Sequence, residues 1–483
     1  MPDSEVMPMD MAAAVGDVVP EIVLVVGGVA VLLYALLAPR RWQSGAALLA
    51  LVALALATLA TLPMLPALGG RESLTFADTY ARDGVAVWSK LIVLPATAAV
   101  IGLSVPWFRS DPRHGEYYTL ILYGALGAIL LAGATDLKEF VVAMILSSAT
   151  GYVLTGYHRR SSSGSEAAIK YYLIGALTSA AMLIGVAYLF GLAGSTTLSG
   201  LRSGLPPTGG VGVAVGAALV ILAVAFKIGA VPAHAWMPDV AQGAPAPVAA
   251  FVTSIPKVGG LIFLARFVLA LPTDGLDWRL LVAVLSAATM TLGNLAALWQ
   301  TDVRRLLGWS AVSQTGYGLM AIVALGLSGL AVPSLLFFLL AYVIGNVAAF
   351  GVVVELRGRT KLEDYLGLGR ARPLLLGALL LAFMSFIGVP PLAGFVAKLL
   401  LFGAAIEADY IWLAVLAALN TMVSIVYYVR VLAPAYFDAP PKSTPVLGRW
   451  AAIATVAMAV ALIVVGLWAE PFVRAFAESG LLP

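Results

Sequence analysis

The chain has 483 residues, 61% hydrophobic and 11% charged, with a mean hydropathy of +0.99 and a formal net charge of +3. Soluble domains are about a quarter charged, so this composition excludes a water-soluble fold and indicates an integral membrane protein. Cysteine is absent, which removes disulfides, thiolate metal sites and cysteine-held iron–sulfur clusters, and the three histidines (His114, His158, His234) are too scattered for an evident metal cluster.

In chain order, the stretch "MPDSEVMPMDMAAAVGDVVPE" is acidic and lacks the basic region of a signal peptide, so residues 1–19 are expected to form a short uncleaved tail. A spanning helix needs about 20 mostly apolar residues, and that rule predicts about 14 segments. They lie near residues 20–38, 45–68, 86–106, 117–135, 137–157, 168–192, 211–230, 247–271, 279–299, 305–328, 332–356, 373–403, 409–435 and 450–470. Their apolar runs do not alternate as barrel strands would, so the fold class is an all-α polytopic bundle, with Gly and Ala allowing close helix approach. Residues 20–470 read as a single transmembrane domain and 471–483 as a C-terminal tail. The longest polar connections, 193–210 and 357–372, are loops in length, and nothing suggests a soluble domain or a nucleic-acid surface.

Alternate loops collect the basic residues: Arg40, Arg41, Arg109, Arg113, Arg159, Arg160, Lys170, Arg304, Arg305, Arg357, Arg359, Lys361, Arg370, Arg372, Arg430, Lys442 and Arg449. Arg71, Arg82, Lys138, Arg202, Arg279 and Arg474 fall on the other side. The basic side faces the cytoplasm by the positive-inside rule, which puts both termini on the outer side.

Five cations fall inside predicted spans: Lys90, Lys227, Lys257, Arg266 and Lys398. A Lys or Arg at a helix centre costs roughly 2.5–3.5 kcal/mol on insertion scales and usually faces the bundle interior or a hydrated path. Lys90 and Arg266 read as structural, since both can reach a membrane edge. The other three stand beside helix breakers. Lys227 precedes Gly229 and Pro232, Lys257 follows Pro256, and Lys398 follows Pro390 and Pro391. Proline frees a backbone carbonyl, and irregular backbone at membrane depth occurs where protein buries it or water fills a cavity. Burial favours the neutral amine, so a lysine there can take up and release a proton. Interrupted helices in both halves of the chain, near 211–236 and 373–403, are the pattern of a transport pathway.

The stretch "FKIGAVPAHAWMPDVAQGAPAPVAAFVTSIPK" (226–257) resembles the central motif of the antiporter-like membrane subunits of the proton-pumping NADH–quinone oxidoreductase, respiratory complex I, and of the subunit N type and its chloroplast counterpart in particular. "VPEIVL" (19–24), "EAAIKYYLIGALTSAAMLIGVAYLFG" (166–191), "TDVRRLLGWSAVSQTGY" (301–317) and "FIGVPPLAGFVAKLLLF" (386–402) agree in order, so the resemblance covers nearly the whole chain.

The resemblance implies a bundle of 14 helices with two inverted five-helix repeats, about 117–271 and 279–435. Lys227 would serve the first half-channel, Lys257 the central connection and Lys398 the second half-channel, with His234 a proton relay beside the break. Its alternative role is that of a hydrogen-bonded packing histidine. The helix breaks would be at Gly229, Pro232, Pro256, Pro390 and Pro391. The chain would translocate protons and carry no cofactor. NAD, flavin, iron–sulfur clusters and quinone would belong to the parent complex in a bacterial cytoplasmic membrane, beside M-type and K-type sister subunits.

The chain departs from the family at two positions. Ile145 stands where the family has a fifth-helix glutamate, with Glu139 the nearest acid and a poor substitute. Gln314 stands where subunit N relatives often have histidine. Asp302 and Arg304 read as a solvated cap. A multisubunit sodium/proton antiporter, and a non-pumping structural paralogue, are the alternative readings.

Overall fold

The computed structural model describes residues 15–65, 70–111, 114–158, 160–273, 277–357, 359–440 and 448–482. Arg113, Arg159, Lys442 and most of the expected N-terminal tail lie outside them. The apolar runs become helices because a chain in hydrocarbon must satisfy its backbone internally. They are α1 (Val19–Leu37), α2 (Gly45–Thr61), α3 (Gly84–Phe108), α4 (Gly115–Gly133), α5 (Leu137–Thr155), α6 (Ser162–Ala193), a short α7 (Leu198–Gly204), α8 (Val211–Ile228) and a short α9 (Trp236–Gly243). Then follow α10 (Ala246–Leu269), α11 (Trp278–Leu298), α12 (Val303–Val323), α13 (Ala331–Glu355), α14 (Pro373–Ile387), α15 (Ala393–Glu407), α16 (Ile411–Phe437), α17 (Arg449–Leu467) and α18 (Ala469–Ala477).

Among the described residues, twelve helices are long and apolar enough to cross a membrane. The other two predicted segments are α12, which is more polar, and the interrupted pair α14/α15. A polar helix is stable at this depth because protein surrounds it: nearly every α12 residue is buried. Helix α10 is buried throughout and α13 nearly so, so α10, α12 and α13 form the centre and the other helices wrap it.

One end of the bundle carries an antiparallel hairpin of β1 (Ser73–Thr75) and β2 (Tyr80–Arg82), joined to the bundle by a bridge from Tyr80 to Ala134. At the opposite end Asp302 bridges to Lys361. The C-terminal segment docks at the hairpin end. Phe476 of α18 is buried against Trp88 and Phe337, and Leu482 N donates to Asp83 Oδ2 at 2.7 Å.

Two expectations are corrected here. Pro256 does not break its helix, since α10 continues through it. The proline removes the donor that Val252 O would take, but protein encloses α10 throughout, and the Tyr342 hydroxyl donates to the next carbonyl, Thr253 O, at 2.8 Å. Lys90 and Arg266 are structural, as expected, but they do not act by extending into solvent. Both are fully buried and paired, Lys90 with Glu21 at 2.8 Å and Arg266 with both oxygens of Asp83 at 2.6 and 2.8 Å.

Candidate functional site

The two interruptions are built alike. Helix α8 ends at Gly229 (φ 73°) and α14 at Gly388 (φ 92°). Glycine is needed at both, because a Cβ is disfavoured in the left-handed region. In the first, Ala230 N closes the helix on Ala225 O at 2.7 Å; in the second, Val389 N closes it on Met384 O at 2.9 Å. Pro232 and Pro390–Pro391 follow, and the chain becomes helical again at α9 and α15. Each interruption leaves carbonyls without intrahelical donors.

Those carbonyls are met by side chains, several of them from α12. Ile228 O, the last of α8, accepts from Thr315 Oγ1 at 2.7 Å, and Phe226 O accepts from the Trp236 indole at 2.9 Å. Ile387 O, the last of α14, accepts from the Lys398 amine at 3.2 Å, and the neighbouring Phe386 O from Gln314 Nε2 at 3.4 Å. Lys227 itself sits in the last turn of α8. Both amines therefore lie at the carbonyl end of a half-helix, where the backbone dipole favours a cation.

The three lysines are buried, and among the described residues none of them is in an ion pair. Lys227 Nζ donates to Ser148 Oγ at 2.9 Å. Lys257 Nζ donates to Ala311 O, and to the Tyr342 hydroxyl at 3.2 Å. Lys398 Nζ donates to Thr421 Oγ1 at 3.1 Å and lies 4.3 Å from the centre of the Tyr317 ring. Neutral acceptors hold an amine in place without fixing its charge, unlike a carboxylate.

Helix α12 joins the three. Its Thr315 hydroxyl touches both Ile228 O, beside Lys227, and Ala311 O, the acceptor of Lys257. Tyr342 then touches Lys257 and lines a small cavity with Gln314, Ser385 and Lys398. That cavity has room for about one water molecule. The result is a near-continuous row of polar groups from Lys227 through Lys257 to Lys398.

The other predicted residues fall as follows. His234 lies within the first interruption, its ring 5.6 Å from that of Trp309, and its Nδ1 is buried with no side-chain or backbone donor or acceptor assigned to it among the described residues. Gln314 is beside Lys398. Glu139, in the first turn of α5, is nine residues from Ser148, about 13 Å of helix rise; it neighbours Asp136 and Glu21 at the hairpin end. Ile145 is 53% exposed on the outside of the bundle, whereas Ser148, three residues on, is the α5 side chain that meets Lys227. Asp302 does cap α12, accepting from Arg305 N at 3.0 Å, but Arg304 grips the end of α9 through Ala241 O at 2.9 Å and through Ala244 O.

Ser148, Thr315, Tyr342 and Thr421 were not singled out from sequence. The available signal was the run Ser310, Ser313, Gln314, Thr315 and Tyr317 inside a segment long enough to span.

Comparison with known proteins places these motifs. The family described as "NADH:quinone oxidoreductase/Mrp antiporter, TM" matches residues 134–424. The chain is 40% identical over 478 residues to NADH-quinone oxidoreductase subunit N 1 of Streptomyces griseus, covering 98% of this chain and 100% of that one. It is 43% identical over 383 residues to NADH-quinone oxidoreductase subunit N of a Mycobacterium species, covering 77% and 81%. A chain of respiratory complex I from Thermus thermophilus with bound aureothin matches with a TM-score of 0.83 at 33% identity, over 95% of this chain and 100% of that one. A chain of the Mrp complex from a Dietzia species matches with a TM-score of 0.85 over 97% and 96%, but at 21% identity that likeness concerns the fold alone.

Proposed function

The chain belongs to the NADH:quinone oxidoreductase/Mrp antiporter transmembrane family, on the side of subunit N of NADH-quinone oxidoreductase, and we propose that it is a membrane-arm subunit that translocates protons through Lys227, Lys257 and Lys398. The observation that supports this most is the row of three buried lysines that neutral acceptors hold and α12 links. An amine bonded to hydroxyls and carbonyls can lose its proton and leave no buried negative charge behind. Ser148, Tyr342 and the water-sized cavity give each lysine a polar neighbour through which a proton can arrive or leave.

In this reading electron transfer from NADH to quinone, with its NAD, flavin and iron–sulfur groups, takes place in partner chains. The sister membrane subunits of the M and K types flank this one in a bacterial inner membrane, both termini lie on the outer side, and the repeats run over about 117–271 and 279–435. Lys227 faces Ser148 and not a carboxylate, so in this reading no switching ion pair sets its charge.

The test uses the assembled complex in inverted membrane vesicles, with proton uptake measured against NADH oxidation. Replacing Lys257 or Lys398 by Met is expected to lower the proton-to-electron ratio while the complex still assembles. An unchanged ratio in both variants would leave the chain a structural paralogue, and uptake that required sodium would assign it to antiport.

A further inference from the structure

A second polar feature branches from Lys398, between α12 and α16. Ser310, Ser313, Gln314 and Tyr317 recur on α12 at i, i+3, i+4 and i+7, which places them on one face. Thr421 Oγ1, which accepts from Lys398, stands 3.0 Å from the Tyr317 hydroxyl. Further along, Ser313 Oγ and the Tyr427 hydroxyl both donate to Asn294 Oδ1, at 2.9 and 3.0 Å, and Asn294 Nδ2 donates to Asn420 Oδ1 at 3.0 Å. Ser310 Oγ and the Tyr428 hydroxyl lie 2.5 Å apart. From Tyr317 to Ser310 the seam runs about 10 Å along α12, toward the end where Asp302 caps that helix and away from the hairpin.

Burying this many hydroxyls and amides among helices is costly unless they are hydrogen-bonded, and membrane helices can pack on small residues without them. Hydroxyls differ from small apolar residues in being donor and acceptor at once. We propose that Thr421 and Tyr317 are proton carriers for Lys398, opening a branch toward the α12 N-terminus, and that Asn294 is a positioning residue that orients Ser313 and Tyr427 along it. This rests on the proton-translocating reading above. In one transfer the Lys398 ammonium gives a proton to Thr421 Oγ1 as the threonine's own hydroxyl proton passes to the Tyr317 oxygen. The phenol's proton leaves to water beyond it. The amine ends neutral, both oxygens keep one proton each, and one proton has moved.

The test compares Tyr317→Phe, Thr421→Val, Thr421→Ser, Asn294→Leu and Lys398→Met in the complete complex, in vesicles, with assembly followed on native gels. The expected result is that Tyr317→Phe and Thr421→Val lose proton uptake per NADH to the level of Lys398→Met at normal assembly, and that Thr421→Ser restores it. Asn294→Leu should lower uptake and shift its pH profile. If Lys398→Met loses uptake while Tyr317→Phe and Thr421→Val keep it, the seam is helix adhesive and this proposal fails, though the functional reading stands. Losses that track reduced assembly, with Thr421→Ser no better than Thr421→Val, overturn it too. If Lys398→Met itself keeps full uptake, the seam proposal falls, and the functional reading falls with it only if Lys257→Met keeps full uptake as well.

Discussion

The hairpin end and the middle of the bundle both bury cations, and they treat them in opposite ways. At the hairpin end, among the described residues, each fully buried cation has its own carboxylate. Arg266 is fixed by Asp83 and by the carbonyls of Ala132 and Leu482, and Lys90 by Glu21, to which the Tyr80 hydroxyl also donates. Burial, with Glu21 alongside, holds the Tyr80 phenol well above its ordinary pKa, so it stays a donor. In the middle, Lys227, Lys257 and Lys398 have hydroxyls and carbonyls instead. A carboxylate locks a cation in its charged form and ties two segments together; a neutral acceptor positions the amine and leaves its proton free to move. The presence or absence of an acid therefore separates the buried cations that hold the fold from those suited to transport.

That contrast can be broken most forcefully at Arg266. Arg266→Met leaves Asp83 buried without its partner and should cost about 3–5 kcal/mol, read as a lower thermal midpoint of the purified complex or as lost assembly. An unaltered midpoint would mean that the pair is not structural. Lys398→Met and Lys257→Met should do the reverse, removing proton uptake while the midpoint stays put or rises, because a Met fills the space without a desolvated charge. Thr315→Val should be milder: it strips Ile228 O of its donor, a loss of about 1–3 kcal/mol for a buried unsatisfied group. The accompanying drop in uptake should be partial, and an unchanged midpoint would show that water replaces the hydroxyl. Tyr342→Phe keeps the ring over Lys257 but removes both the oxygen between it and the cavity and the donor to Thr253 O, so a partial loss of uptake with a loss of stability no larger than that of Thr315→Val is expected. Glu139→Gln should be the quietest, because that acid stands at the hairpin end, far from Lys227. A large fall in uptake there would sharpen the comparison by showing that a distant carboxylate does set the charge of the row.

Much of this was legible in the sequence. Twelve of the fourteen predicted spans follow from hydropathy alone, since the bilayer demands about 20 apolar residues wherever the chain crosses it. Interruptions at Gly229 and Pro232, and at Pro390 and Pro391, were legible because glycine and proline impose their backbone limits locally. Pro256 obeys the same local rule yet sits in an unbroken helix, because α10 is enclosed on all sides by other helices, which no local pattern shows.

What composition and local pattern determined, then, is where the chain crosses the membrane, where its helices are interrupted and which lysines stand beside the interruptions. Tertiary structure alone decided which cations meet a carboxylate. It also decided that α12 supplies the groups linking the three lysines, and that Ser148 rather than the position three residues before it faces Lys227. The physical reason is range: hydropathy and backbone restriction act over a few residues of one helix, whereas hydrogen bonds and ion pairs are fixed by side chains that only packing brings within about 3 or 4 Å.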